Sequence, residues 1–405
     1  MESQKRNNLN FTNALFIDRE AVFALLLCQE GLLAPVYHLM NFDEMQEVDK
    51  TGIFKGQSFP FSFILAPSGR RNTQVIQNAK KGDVLTLVCE GAVCGELIVD
   101  STFKIDRKER LLKIMSGDIY SKKAQDIYKR IRDYAICGEY KLFLNSNKFT
   151  FMLDKQMVLR VKKNIQAQHI TAMALDASPI TRIHERIFRF VLDESDLLIL
   201  FLLRRQNEGL LDFHIRKTCL QFVIENYLPT NRIVLFPLDD IYLFAGAHGI
   251  ILEAILAQNL GCDRIVIGEN YPNLTIYYDN QKIYSIFDTI KDIKINVKLL
   301  PEFVYCNQCN TIVSLKTCPH GNHHHIQYHS EFLQGILRAG LIPPTILIRK
   351  EISAKILSYL YPKRFGNLLQ QFGAMFANNG MIEKQQDDED FYLKLIDLYK
   401  THSLN

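Results

Sequence analysis

Four apolar runs alternate with helical stretches through the middle of this sequence, and this alternation restricts its fold more than any other feature. The runs occupy residues 170–175, 197–203, 232–238 and 264–268. Helices are predicted between them, beginning near Thr181 and covering 217–227 and 248–260. Near-continuous apolar strands that alternate with amphipathic helices are typical of a parallel sheet covered on both faces. The sequence therefore predicts an α/β fold.

The stretch 173–186, MALDASPITRIHER, is the strongest candidate for a binding site on this sheet. The first apolar strand ends at Leu175, and a turn follows at Ser178 and Pro179. A helix then opens through Thr181 and His184, whose spacing places a hydroxyl and an imidazole on one side of its first turn. Free N–H groups and the helix dipole favour a phosphate at such a helix start. The alternative is an ordinary helix N-terminus, with Thr181 near the cap and an incidental His184.

The residues before this sheet have a different pattern, with short β-rich pieces separated by turn residues. A helix is predicted from Asp18, a good N-cap, to Gly31, a good C-cap. Strands are predicted over 59–66, 83–89 and 94–99, followed by a helix over 121–134 and a β pair over 140–144 and 148–153. These elements predict a compact β-rich domain that ends near Lys162. At the other end of the chain, helices are predicted over 331–339, after Glu351 and after an acidic linker at 385–390.

Three of the nine cysteines, Cys306, Cys309 and Cys318, lie close together in the sequence. A CxxC pair, a third cysteine and a following histidine supply the ligands of a tetrahedral zinc ion. The histidine is either His320 or His323. Four protein ligands leave no open position for chemistry, so such a zinc site is structural. The alternative is a metal-free loop with reduced thiols and a solvated run of histidines.

Charge and hydropathy exclude several classes of function. The 48 basic residues nearly balance the 44 acidic ones, so no surface for nucleic acid is indicated. The longest apolar runs, at 21–28 and 197–203, are far too short to cross a membrane. The first residues are polar and lack the apolar core of a signal peptide. We therefore expect a cytoplasmic protein whose other six cysteines are reduced.

Four segments carry a resemblance to a known family: GLLAPVYHLMNFDEM at 31–45, the stretch 233–268, YCNQCNTIVSLKTCPH at 305–320 and LRAGLIPPTILIRKEI at 337–352. In this order they are similar to segments of the ATP sulfurylases, or sulfate adenylyltransferases, over nearly the whole chain, and 305–320 resembles the cysteine-rich segment of the bacterial short forms. The resemblance implies a PUA-like β-rich domain over 1–163, a Rossmann-like nucleotidyltransferase domain over 164–328 and a small helical domain over 329–405. Because no GxxxxGKS motif occurs, we expect no fused kinase domain.

The resemblance implies adenylyl transfer from MgATP to sulfate, giving adenylyl sulfate and pyrophosphate. Such a site must hold two anions together and stabilise the departing pyrophosphate. The implied catalytic residues are His184, which would donate to the β- and γ-phosphates, and Thr181. Magnesium would arrive with ATP, and family members usually assemble into homo-oligomers. The residues expected to bind the nucleotide are Ser178, Pro179, Ile180, Gly268, Asn270 and Arg349.

The chain departs from both anion-binding motifs of the family. Where Q-T-R-N-P-x-H-x-x-H has Gln and Arg, the chain has Leu175 and Ala177. Where G-R-D-H-A-G has Arg, it has Glu269. Losing one oxyanion donor costs about 3 kcal/mol of transition-state stabilisation, so the sulfate side is expected to be eroded. Three hypotheses follow: a divergent sulfate adenylyltransferase, a nucleotidyltransferase with a different, less anionic acceptor, and a non-catalytic structural or regulatory relative.

Overall fold

The computed structural model describes residues 13–143, 151–204, 211–239, 248–268, 276–279, 282–285, 290, 292–366, 368 and 387–398. The chain divides into two units. The first comprises Met1–Leu159, Ile170–Ala172 and Pro237–Lys298, and the second comprises Arg160–His169, Met173–Phe236 and Leu299–Asn405.

A four-stranded sheet lies in the first unit. Its order is β1 (Ala14–Phe16), β4 (Val84–Cys89), β5 (Ala92–Lys104) and β6 (Tyr134–Leu142). The last three strands pair antiparallel, and β1 runs parallel to β4. Asp18 caps the first helix by accepting the Ala21 N–H, as its sequence position predicts. The other elements of this stretch are β2 (Ile53–Phe54), β3 (Gln57–Ser58), α1 (Arg19–Gln29), α2 (Phe42–Thr51), α3 (Arg70–Asn78), α4 (Arg107–Ile114), α5 (Lys122–Arg130) and α6 (Phe151–Asn164).

The parallel sheet predicted from the apolar runs is confirmed. Its strands are β7 (Ile170–Leu175), β8 (Leu197–Arg204), β9 (Ile233–Asp239), β10 (Arg264–Gly268) and β13 (Asn296–Leu300), in the order β13-β10-β7-β8-β9. Neighbouring strands begin side by side: the Leu197 N–H donates to the His169 carbonyl, and the Asn296 N–H donates to the Asp263 carbonyl. The strands therefore run in one direction and end at one edge. Helices α7 (Arg182–Leu192), α8 (Phe213–Tyr227) and α9 (Gly249–Asn259) follow β7, β8 and β9.

The remaining elements follow the parallel sheet along the chain. β11 (Ile276–Asp279) and β12 (Lys282–Ser285) pair antiparallel. In the second unit, β14 (Phe303–Cys306) lies between β15 (Thr311–Ser314) and β16 (His325–Ile326) in an antiparallel sheet. Three helices come last: α10 (Ser330–Arg338), α11 (Lys350–Leu360) and α12 (Asp388–Leu398). None of the described helices combines the length and the apolar content that crossing a bilayer requires.

Two predicted strands are wrong. Residues 59 and 61–65 are buried, but the run 59–66 forms no strand apart from a single bridge at Leu65. Pro60, near its start, has no N–H to donate to a ladder. The strand predicted over 148–153 overlaps the start of α6 at Phe151, and its residues 148–150 lie outside the described part. The good helix formers that follow, and the basic residues Lys162 and Lys163 in the last turn, favour the helix.

Candidate active site

The turn between β7 and α7 is held rigidly in place by two other parts of the second unit. Ala177 has a φ of 49°, in the left-handed region, and the Ser178–Pro179 peptide is cis. The Ser178 hydroxyl accepts the Leu211 N–H at 2.9 Å, and the Ser178 carbonyl accepts the Gln334 side-chain amide at 2.6 Å. Ser178, Pro179 and Ile180 are all buried. One lone pair of the Ser178 hydroxyl is thus used by the backbone, while its O–H can still donate.

Thr181 is the N-cap of α7 and is paired with His184. His184 Nδ1 accepts the Thr181 N–H at 3.1 Å and lies 2.8 Å from the Thr181 hydroxyl. Because a backbone N–H can only donate, Nδ1 must be an acceptor, and the ring proton of the neutral imidazole sits on Nε2. No residue of the described chain forms a hydrogen bond with Nε2. Thr181 and His184 therefore contact each other, and Thr181 fixes the orientation of the imidazole through Nδ1.

His184 is neutral at physiological pH. Burial lowers its pKa to about 4, because a desolvated imidazolium is less stable than the neutral ring. The hydrogen bond from the Thr181 N–H acts in the same direction, since it needs a lone pair on Nδ1. At neutral pH the ring offers a hydrogen-bond donor, not a full positive charge.

Arg349, expected to bind the nucleotide, is paired with a carboxylate instead. Its Nε and Nη2 each donate to a Glu185 carboxylate oxygen at 2.7 Å, which is a bidentate ion pair. The guanidinium also stacks over the Tyr227 ring, 3.3 Å from the ring centroid. The side chains of Arg349 and Glu185 are only 15% and 7% exposed. The charge of Arg349 is therefore already balanced by Glu185. A hydrogen bond from Arg349 to a nucleotide would form in addition to this ion pair.

Two other arginines lie near the turn. Arg216, only 1% exposed, donates from Nη1 to the carbonyls of Asp176 at 2.7 Å and Leu203 at 2.8 Å. It thereby ties the chain after β7 to the end of β8. Arg182 donates through Nε to the Thr345 carbonyl at 3.3 Å, and no ion pair joins it to another described residue. Arg182 is therefore a cation in the first turn of α7 whose charge no described carboxylate balances.

The sequence reasoning missed Glu185, Arg216 and Gln334, which build the walls of this site. Each is a polar residue among apolar ones on a helix face that is buried, in α7, α8 and α10 respectively. That pattern was the available signal, because buried polar groups need partners. Of the other predicted residues, Gly268 ends β10 and is half-buried. Asn270 and Glu269 lie outside the described residues.

The cysteine cluster forms a compact set of four ligand atoms. The Sγ atoms of Cys306, Cys309 and Cys318 and Nδ1 of His320 all lie within 4.8 Å of one another. His320 Nδ1 lies 3.3 to 3.6 Å from the three sulfurs, and the Cys309 and Cys318 sulfurs are 4.0 Å apart. A tetrahedral zinc site with Zn–S bonds of about 2.3 Å needs sulfurs about 3.8 Å apart. The cluster thus has a donor set and spacing that fit zinc, with His320 and not His323 beside the cysteines.

The pKa values of the Cys306 and Cys309 thiols also favour the binding of a cation among the sulfurs. Burial opposes ionisation of Cys306, yet hydrogen bonds from the N–H groups of Cys309 and Gln308 lower its pKa to about 7. The pKa of Cys309 is raised to about 11 by burial and by the neighbouring Cys306 and Cys318. A second thiolate is therefore disfavoured unless a positive charge lies among the sulfurs.

The central strand of this parallel sheet ends in a turn that is followed by a capped helix. These features place the chain in the class of α/β proteins with a parallel sheet, in which ligands bind at the carboxyl ends of the strands. The chain belongs to the ATP-sulfurylase family, which matches residues 150–359. A sulfate adenylyltransferase of Carboxydothermus hydrogenoformans is 23% identical over 367 residues, covering 88% of this chain and 94% of that protein. One from Chloroflexus aurantiacus is 24% identical over 86% of this chain and 91% of its own.

Two further comparisons differ in what they cover. A sulfate adenylyltransferase of Cenarchaeum symbiosum is 34% identical, but over 144 residues, which are 36% of this chain and 38% of that protein. Among solved structures, a hexameric APS kinase from Thiobacillus denitrificans superposes with a TM-score of 0.64. The superposition covers 89% of this chain and 69% of the APS kinase chain, with 16% sequence identity, so the similarity is one of fold.

Proposed function

We propose that this protein transfers the adenylyl group of MgATP to sulfate, giving adenylyl sulfate and pyrophosphate. The observation that carries the proposal is the turn 176–181 with its Thr181–His184 cap, which is built in advance at the carboxyl end of β7. A preformed site of this kind lowers the cost of ordering two anionic substrates. The relatives that cover most of their own length and of this chain are sulfate adenylyltransferases.

In the proposed reaction a sulfate oxygen attacks the α-phosphorus in line as the bond to the β-phosphate oxygen breaks. No protein nucleophile is needed, so the residues act by position and charge. His184 Nε2–H donates to the departing pyrophosphate, while Thr181 holds the ring in the required tautomer. Main-chain groups of Ser178, Pro179 and Ile180 lie against the α- and β-phosphates. By resemblance to the family, Gly268, Asn270 and Arg349 are also proposed to bind the nucleotide.

Magnesium is proposed to enter with ATP. The buried carboxylate nearest the cap in sequence, Glu185, is already engaged by both nitrogens of its bidentate partner Arg349. A magnesium ion usually keeps several waters and binds through substrate phosphates with one or two carboxylates. The described residues around the turn fit that mode better than a dedicated carboxylate site.

The second candidate is a nucleotidyltransferase with a less anionic acceptor, and one observation favours it. Leu175 and Ala177 stand where the family motif has Gln and Arg, and both are buried apolar residues, 6% and 2% exposed. Buried aliphatic side chains offer no donor to a dianion. The acceptor would then carry a smaller charge than sulfate, or would place an apolar group next to Leu175 and Ala177. The eroded sulfate side is part of this second proposal.

We also propose a structural zinc ion bound by Cys306, Cys309, Cys318 and His320. The support is the distances and thiol electrostatics of the cluster, given above. With four protein ligands the ion would have no open position, so it would fix the loop between β14 and β16 and take no part in catalysis.

The wider organisation is proposed from the family. The β-rich sheet of the first unit supports a PUA-like domain over 1–163, followed by the nucleotidyltransferase domain over 164–328 and a helical domain over 329–405. We propose a cytoplasmic homo-oligomer, and the APS kinase that shares this fold, which is a hexamer, supports the oligomeric state. The partners are ATP and sulfate or another small acceptor.

The decisive test is release of pyrophosphate from MgATP by the purified chain, with sulfate, with molybdate as a sulfate mimic, and with uncharged or monoanionic acceptors. Sulfate-dependent release that His184→Asn abolishes supports the first proposal. Release only with another acceptor supports the second. ATP binding by calorimetry without release for any acceptor, or no ATP binding at all, overturns both and leaves a non-catalytic relative.

A further inference from the structure

The first unit contains a cavity that the proposed reaction does not use. Its volume is about 310 Å³, and every residue around it belongs to the stretch 16–131. The walls are mainly aliphatic and come from α1, the connection after it, the chain at 63–68, α4 and α5, with Ala24, Leu25, Leu39, Ile114 and Ile127 among them. Its size is that of a small-molecule site, since such pockets begin at about 300 Å³.

One charged side chain in this wall is almost completely buried. Arg110, in α4, is 5% exposed and lines the cavity. Its Nη1 donates to the Ser62 hydroxyl at 2.6 Å, and the guanidinium lies 5.6 Å from the centroid of the Phe61 ring. Its Nη2 is buried and has no acceptor. No carboxylate of the described chain forms an ion pair with Arg110.

Arg130 also lines the cavity, but its charge is balanced by carboxylates. Arg130 donates to Asp18 at 2.6 Å and to Glu20 at 3.0 Å, so two carboxylates offset its charge. Near Arg110, the carboxylate of Asp49 accepts the Ser62 N–H at 2.9 Å and so is used by the backbone. A buried guanidinium with one neutral partner is unfavourable unless an anion joins it.

We propose that this cavity binds an organic monocarboxylate with an aliphatic body. The carboxylate would accept from the Arg110 guanidinium, whose planar fork suits two oxygens, and the hydrocarbon part would fill the space between α1, α4 and α5. A nucleotide or an inorganic dianion does not fit this chemistry, because aliphatic walls and one cation without a carboxylate partner cannot solvate several charges. The site is therefore separate from adenylyl transfer and does not depend on the proposed function.

The test is titration calorimetry of the full chain with octanoate, with octanol as the uncharged analogue. Octanoate is expected to bind, with octanol at least tenfold weaker. Arg110→Met should weaken octanoate binding at least tenfold and leave octanol unchanged. The matched control is Arg107→Met on the same helix, whose side chain donates to the Tyr128 carbonyl and does not line the cavity; it should bind octanoate as the parent chain does.

A second variant keeps the test valid if Arg110→Met folds poorly. Ala24 is a buried residue of α1 in the cavity wall, so Ala24→Leu should fill space and weaken octanoate binding while Arg110 stays in place. Equal binding of octanoate and octanol, or unchanged octanoate binding in Arg110→Met, would overturn the proposal. So would absence of octanoate binding to the parent chain together with a higher melting temperature for Arg110→Met, which is the behaviour of a buried charge with no ligand.

Discussion

The two ring nitrogens of His184 have different tasks, and two substitutions can separate them. Asn places an amide near Nδ1 and can still accept the Thr181 N–H, but it removes the donor at Nε2. Gln places its amide near Nε2 and loses the acceptor at Nδ1. We expect His184→Asn to keep the free energy of unfolding within about 1 kcal/mol of the parent while turnover falls about 100-fold.

His184→Gln should give the opposite result, with more turnover retained and lower stability. The measurements are steady-state pyrophosphate release and urea unfolding of both variants. If His184→Asn keeps both turnover and stability while His184→Gln loses both, then His184 acts only as a helix cap.

The lowered pKa of His184 predicts a pH dependence of stability. Its pKa is about 4 in the folded chain and about 6.5 in an unfolded chain. Between these values the unfolded state binds more protons than the folded state, so the free energy of unfolding falls as the pH falls from about 6.5 to 4. The loss attributable to this group is roughly 3 kcal/mol at the acid end. Urea unfolding at pH 7, 6, 5 and 4 should show that His184→Asn loses less stability than the parent chain as the pH falls. If the free energy of unfolding falls equally with pH in both proteins, the lowered pKa of His184 is contradicted.

Removing one partner of the Arg349–Glu185 pair should be costly, because Glu185 is buried and the Arg349 side chain is only 15% exposed. Glu185→Gln leaves the guanidinium without a counter-charge and should lower the free energy of unfolding by about 3–5 kcal/mol. The matched control is Asp397→Asn, which breaks the more exposed pair with Lys350 and should cost less than about 1 kcal/mol. Urea unfolding of both variants measures the difference. Equal small losses would mean that solvent screens the buried pair as well.

These residues also show which features of the site could be predicted from the sequence and which could not. The sequence alone indicated Thr181 and His184, because i,i+3 spacing after a turn is a local pattern. It could not show that Nδ1 is used within the cap, since that depends on a main-chain N–H direction. It also could not pair Glu185 with Arg349, which lie 164 positions apart. Partners at such separations are fixed by packing.

At the scale of secondary structure, the loop between β14 and β16 depends on its proposed metal. The purified chain should contain about one zinc per molecule by mass spectrometry. His320→Ala should lose most of it, because Nδ1 of His320 lies among the three sulfurs. His323→Ala is the matched control and should keep zinc. Full zinc in His320→Ala, or its loss only in His323→Ala, would mean that a different histidine completes the site.

The strands and helices were predicted best where burial is continuous. β7, β8, β9 and β10 follow the apolar runs to within about one residue, since a strand covered on both faces is apolar at nearly every position and its ends coincide with the ends of the run. The run at 59–66 failed because apolar content alone does not make a strand, and Pro60 interrupts its hydrogen bonding. Residues 63–66 of that run instead line the cavity together with Arg110, whose burial no local pattern predicted.

At the scale of the whole molecule, nucleotide binding must couple to unfolding if the proposed function is right. A ligand that binds only the folded chain stabilises it by about 2.7 kcal/mol at 100 times its dissociation constant. For a chain of 405 residues this corresponds to a rise of a few degrees in melting temperature. MgATP should therefore raise the melting temperature, and magnesium alone should not.

The same experiment distinguishes the binding residues from the scaffold. Arg182→Met removes a cation in the first turn of α7 that has no ion pair within the described chain, and it should reduce the shift produced by MgATP without changing the melting temperature of the free protein. Arg189→Met is the matched control at the far end of the same helix, where the side chain donates to the Tyr227 carbonyl. It should leave the MgATP shift intact. A parent chain whose melting temperature ignores MgATP at any concentration would exclude both nucleotidyltransferase proposals, because a substrate that binds the folded state cannot fail to stabilise it.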